Sequence, residues 1–167
     1  MKGNPMSDDL QHTQLDGTAD YIAALDTVCG LAQRDLYVFE KDFEDIGFNS
    51  EARYNTLRRF LLASPVNRLH LLAHDTKTIV QYCPRLILLL RQFSHSMRIH
   101  QTSRHLLHIT EPFAVADESH YVRRFHFDDP RGILAQNDVE GARVLKSRFM
   151  EMWASSHPSV SANTTGL

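Results

Sequence analysis

Residues Leu106 to Phe127, LLHITEPFAVADESHYVRRFHF, decide how the rest of the chain is read. Short β-branched and aromatic runs at 107–110, 113–116 and 120–127 are separated by Glu111-Pro112 and by Asp117-Glu118-Ser119, so the segment reads as consecutive strands. In the last run Tyr121, Arg123, Phe125 and Phe127 alternate with Val122, Arg124 and His126, as in an antiparallel strand with one face partly open to water. Arg123 and Arg124 then leave the sheet on opposite faces.

Upstream, strands alternate with helices. Tyr21, Ile22, Leu25, Val28 and Cys29 recur at helical spacing and predict a helix over 18–33, followed by a strand over 35–39. Ser50 is placed to cap a helix that stops before Ser64-Pro65, and a strand over 69–73 follows. Asp75 or Thr76 caps the next helix. Pro84 cannot donate a backbone N–H and clashes with the turn before it, so either the helix kinks there or, the reading preferred, Pro84 is the first residue of a second helix running to Phe93, ahead of a strand over 97–101. Downstream, 128–132 reads as a turn, and Asp138 caps a closing helix with Val139, Ala142, Leu145, Phe149, Met152 and Trp153 inward. This order predicts an α/β fold: a mixed β-sheet with parallel crossovers in its first half, an antiparallel end, and helices on both faces. One domain over 17–155 is expected, with polar, aperiodic stretches at 1–16 and 156–167 read as a flexible arm and tail.

The net charge of −2 hides an uneven distribution. Residues 1–51 hold eleven Asp/Glu against three Lys/Arg, whereas residues 52–126 hold four against eleven and carry eight of the ten histidines. Arginine outnumbers lysine fourteen to four, and its planar fork suits phosphate or carboxylate, so an anionic ligand or partner is expected. The same arginines also serve a purely structural reading, in which they cap helices and cover apolar surface. Cys29 and Cys83 match no disulfide or zinc pattern and read as buried apolar residues. His105, His108, His120 and His126 form no HxxxH or HExxH helix pattern, so no metal is expected, and no cofactor motif is present. GxSxG elbows and glycine-rich phosphate loops are absent from the sequence. The N-terminus lacks a secretory apolar core, and no window approaches the roughly 18 to 20 apolar residues of a membrane span, so a cytoplasmic protein is expected.

The candidate binding residues follow from position. Asp75 lies past the second strand, at the carboxyl end of the parallel strands, where open α/β sheets place ligands. Arg98 and His100 share one face of the third strand. Converging with Asp75 and with Arg123 or Arg124, they would form a cleft for phosphate or carboxylate.

The element order resembles one half of the phospholipase D-like fold. In that superfamily a strand carries a histidine, a lysine two residues later and an aspartate five beyond the lysine; another strand and a helix ending in phenylalanine and tryptophan follow. Ala114-Val115-Ala116-Asp117, then His120–Arg124, then Leu145 through Phe149 and Trp153 match that frame. Thr110 and Pro112 stand where the histidine nucleophile and the phosphate-holding lysine belong, so the resemblance implies a non-catalytic domain, a pseudoenzyme retaining Asp117. Residues 20–155 also resemble an uncharacterised bacterial domain family found alone or attached to acetyltransferase-like domains, through Arg68–Leu72, Asp75, Cys83-Pro84-Arg85, Leu86–Arg91, Ser94, Asp117, Tyr121 and Arg123. The implied function is binding of an anionic small molecule or a protein partner by a homodimer, since single-repeat relatives build their site from two halves. Two alternatives are a divergent phosphodiesterase or nuclease using His100 or His108, and a nucleic-acid-binding module working through the basic middle. The last is disfavoured by the acidic whole and the lack of interleaved aromatic platforms.

Overall fold

A computed structural model describes residues 9–161. Eight strands form one mixed sheet in the order β1-β7-β6-β5-β2-β3-β4-β8. The centre is β2 (Asp35–Glu40), β3 (Arg68–Ala73) and β4 (Met97–Gln101), mutually parallel; β5 (Phe113–Ala116), β6 (His120–His126) and β7 (Asp129–Gln136) continue antiparallel beside β2. Helices lie on both faces, as the sequence predicts. On one face α1 (Thr18–Leu31), α2 (Glu51–Ala63) and α4 (Pro84–Gln92) cover Leu36, Val38, Leu69, Leu71 and Ile99; on the other α5 (Val139–Ala154) covers Tyr37, Phe39, Leu72, Phe113 and Val115. Strand alternation sorts these side chains.

The caps are local and legible. Ser50 accepts from the Arg53 amide, Asp138 accepts from Gly141, and Pro84 opens α4 after the short helix α3 (Lys77–Tyr82). Three expectations fail. No strand forms over 107–110: a 3-10 turn at Arg104–Leu106 leads into a loop whose Ile109 carbonyl is taken by the His74 ring. Of residues 128–132, read as a turn, 129–132 are instead the first half of β7, which hugs β6 so closely that a Cβ on Gly132 would lie 2.0 Å from the Arg123 carbonyl oxygen. The supposed arm and tail supply the two margins of the sheet, β1 (Gln11–Leu15) on β7 and β8 (His157–Val160) on β4. Both are polar and mostly exposed, which removes the alternation that marks a strand, and β8 carries Pro158, tolerated only at an edge. Residues 1–8 of the arm and 162–167 of the tail lie outside the described residues.

Candidate ligand-binding site

The parallel strands end together at one crest of the sheet, at Glu40, Ala73 and Gln101. Leu36 and Val38 face α1, so alternation drives Glu40 into the same apolar layer, where it is 2% exposed. Tyr21 of α1 donates its hydroxyl hydrogen to Glu40 Oε2. Arg124 of β6 places Nη2 3.7 Å from Oε1 and stacks its guanidinium 4.4 Å from the centre of the Tyr21 ring. Burial pushes the Glu40 carboxyl up to about 7, opposed by the Tyr21 hydrogen bond and the Arg124 charge. Arg124 is itself 8% exposed, and its Nε has no hydrogen-bond partner. That is an unusual state for a buried guanidinium.

Beyond Glu40 the chain forms a strained loop over 41–50. Phe43 and Asp45 have φ of 66° and 59°, and Gly47 has 86°. Phe43, a buried aromatic in the left-handed region, is a genuine outlier. The loop is held by Arg53 of α2, fully buried, which donates to the Ile46 and Ile22 carbonyls, bonds Asp26 Oδ1 at 2.7 Å and covers the Phe48 ring. Between loop, α1 and β6 lies a cleft of about 250 Å³, lined by Thr18, Glu40, Arg124 and Phe127 and rimmed by Lys41, Asp42, Glu44, Asp45 and Asp128. Thr18 is the first residue of α1, whose N-terminus no side chain caps. A larger cavity of about 490 Å³ on the far side of the loop is lined by Phe43, Phe48, Asn49, Tyr82 and Cys83. Burial pushes the Cys83 thiol up to about 11, and Cys29 likewise.

His74 also stands on the crest. Its Nε2 lies 2.6 Å from the Ile109 carbonyl, which can only accept, so Nε2 carries the proton and Nδ1 accepts from the Thr102 hydroxyl at 2.6 Å. Burial between Phe39 and Phe127 lowers its pKa, and both nitrogens of the neutral ring are committed.

A second cluster occupies the flank beside β4. His100 stacks on Trp153 at 3.8 Å, and His70 lies between Tyr37 and Trp153. Ser156 donates to the Trp153 carbonyl, so His100 Nδ1 must donate to Ser156 at 2.7 Å. His70 Nδ1 is buried without a partner. Both rings are pulled down to about 4, by burial first and then by the neighbouring Arg98 and histidine charges. Arg98 is exposed, and among the described residues no carboxylate pairs with it.

The sequence-predicted site residues divide between these places. Arg98 and His100 come together in a cleft of about 180 Å³ at the β4–β8 margin. Asp75 is on the crest, as expected, but its carboxylate accepts from the Lys77 amide and it lies five residues beyond His70, the partner of Arg98, which is about 16 Å along the strand. Arg123 shares a transverse row with His100 but stands four strands away, about 19 Å, over Phe125. Asp117, at the opposite end of the sheet with φ of 58°, accepts from the amides of Gln33, Arg34 and Asp35 and so fixes the turn between α1 and β2. The five do not form one cleft. Sequence reasoning missed Glu40 and Tyr21; an acidic residue closing the apolar run DLYVF was the available signal. Among the described residues no three His, Cys, Asp or Glu side chains are grouped to hold a metal ion, and no helix is long and apolar enough to cross a membrane.

Residues 17–163 match the family described as Domain of unknown function (DUF7931). The chain belongs to that family. No curated protein matches the DUF7931 chain in sequence. Among solved structures it is similar to TrmBL2, an archaeal chromatin protein with a novel mode of DNA binding, at a TM-score of 0.65 and 10% identity over 95% of this chain and 57% of that one. It therefore spans little more than half of TrmBL2. It is similar over nearly their whole length to Nuc from Salmonella typhimurium, a phospholipase D family member (TM-score 0.61, 10% identity, 92% of this chain and 99% of that), and to NucT from Helicobacter pylori (0.60, 11%, 90% and 100%). The DUF7931 fold is phospholipase D-like.

Proposed function

We propose that this chain is a non-catalytic phospholipase D-like domain that binds a small ligand by an anionic group, received at the crest by Arg124. The observation that carries the reading is a nine-tenths buried guanidinium lining a cleft, with Nε unpartnered and its only carboxylate among the described residues 3.7 Å away. An uncompensated buried donor costs about 1–3 kcal/mol, which an incoming oxygen would recover. The absence of a free imidazole at His74 supports binding without turnover, as do Thr110 and Pro112, whose carbonyls accept from the Phe127 and Arg124 amides. Titration with acetate or inorganic phosphate, followed by the Arg124 Nε–H resonance in nitrogen NMR, is expected to move that signal saturably in the wild type. An unmoved signal with both anions sinks the proposal. Hydrolysis of a generic phosphodiester, abolished in His100→Ala or His108→Ala, would establish the divergent enzyme instead. The homodimer is part of this reading, supported by the two open margins β1 and β8 of the described sheet; light scattering that gives a monomer at tens of micromolar removes it.

A second reading rests on the flank. Arg98, exposed and without a counter-charge among the described residues, could meet a phosphate backbone, and the similar TrmBL2 is a DNA-binding protein. This reading expects duplex affinity that falls steeply with salt and weakens in Arg98→Ala.

A further inference from the structure

The crest cleft carries charges of both signs, arranged at different depths. At its floor is Arg124, with its unpartnered Nε and with the buried Glu40 3.7 Å from Nη2, while the exposed Thr18 brings the uncapped N-terminus of α1 to the cleft wall; the guanidinium and the helix terminus both attract a carboxylate. At its rim stand Asp42, Glu44, Asp45 and Asp128 together with the single cation Lys41, and among the described residues no cation lies within ion-pair range of Asp42, Glu44 or Asp45. A bare anion would have to pass four carboxylates to reach the floor. A bare diamine would satisfy the rim but leave the guanidinium and the helix terminus facing positive charge.

Resting on the reading just given, we infer that the ligand is a basic amino acid: a carboxylate bound by Arg124 and the α1 N-terminus, with its ammonium and side-chain cation held by the acidic rim. The cleft's 250 Å³ lies below the roughly 300–1,000 Å³ that drug-sized ligands occupy, which fits a molecule of this size. The left-handed Asp45 and the buried, left-handed Phe43 preset the rim, since Arg53 clamps the loop from behind.

The test is calorimetric titration of the wild-type protein with L-arginine, L-lysine, agmatine, which is arginine without its carboxylate, and acetate. L-arginine or L-lysine is expected to bind at least tenfold more tightly than either agmatine or acetate. Arg124→Met should bring L-arginine down to the agmatine level while leaving agmatine unchanged, and Asp42→Asn with Asp45→Asn should weaken L-arginine without weakening acetate. Acetate binding through Arg124 with L-arginine no tighter overturns this inference and leaves the anion-binding reading standing; agmatine equal to L-arginine overturns it because the site then reads only the cation. No binding by any of the four overturns this inference, and if inorganic phosphate also leaves the Arg124 Nε–H signal unmoved the anion-binding reading falls with it. The wild-type series decides the matter by itself should a variant fail to fold.

Discussion

The crest and the flank each hold a titratable side chain driven into the interior by strand alternation, and the two regions solve the problem in opposite ways. At the crest Glu40 keeps the means of being charged, with Arg124 beside it and the Tyr21 hydroxyl on its oxygen. At the flank His70 and His100 are held neutral against aromatic rings, with Trp153 between them and no carboxylate in ion-pair range among the described residues. The same loss of water raises an acid and lowers a base, so one cause gives the two regions opposite responses to pH. The regions also differ in mechanics: the crest hangs on a strained loop clamped by one arginine, the flank on a regular parallel ladder.

The largest effect expected is on that clamp. Arg53→Met removes two carbonyl partners, the Asp26 ion pair and the Phe48 contact together, and should cost about 3 kcal/mol in urea unfolding. A loss below about 1 kcal/mol would show that the loop holds itself.

Next comes the pH response. A raised folded pKa at Glu40 means that its contribution is fully present below the ordinary value of 4.5 and is lost as pH rises through about 7, roughly 3 kcal/mol in all. The lowered values of His70 and His100 work the other way: their contribution is complete above 6.5 and is lost as pH falls toward about 4. Urea midpoints from pH 4 to 9 should therefore show Glu40→Gln abolishing the decline toward neutral pH while keeping the acid loss, and His70→Phe making the acid loss shallower while keeping the decline. Parallel curves for wild type and Glu40→Gln would erase the contrast between the regions.

The smallest effect belongs to Arg98, exposed and without an ion pair among the described residues, where Arg98→Ala should change stability by no more than about 0.5 kcal/mol. A larger loss would mean that the flank depends on charge as the crest does.

What the sequence discloses is what neighbours in the chain decide. Ser50, Pro84 and Asp138 mark helix starts by local chemistry alone, and the apolar periodicities place α1, α2 and α5 correctly. Asp117 shows the limit: its partners Gln33, Arg34 and Asp35 lie more than eighty residues back, so a carboxylate that looks available in sequence is a structural cap in space. Arg124 fails in the reverse direction. Alternation separates it from Arg123, but only the packing of α1 over β6 makes it buried and short of a partner. The margins β1 and β8 escaped because edge strands need no apolar face.

The pairing of β1 with β7 bears on how the protein is made. Gln11 pairs with Gln136 and Leu15 with Gly132, so the earliest described strand finds its neighbour only after more than a hundred further residues have been added. At about 5–20 residues per second of synthesis, that leaves QHTQL without a ladder for roughly 6–25 s on the ribosome. Its polar composition keeps the waiting segment from offering a sticky template to other nascent chains.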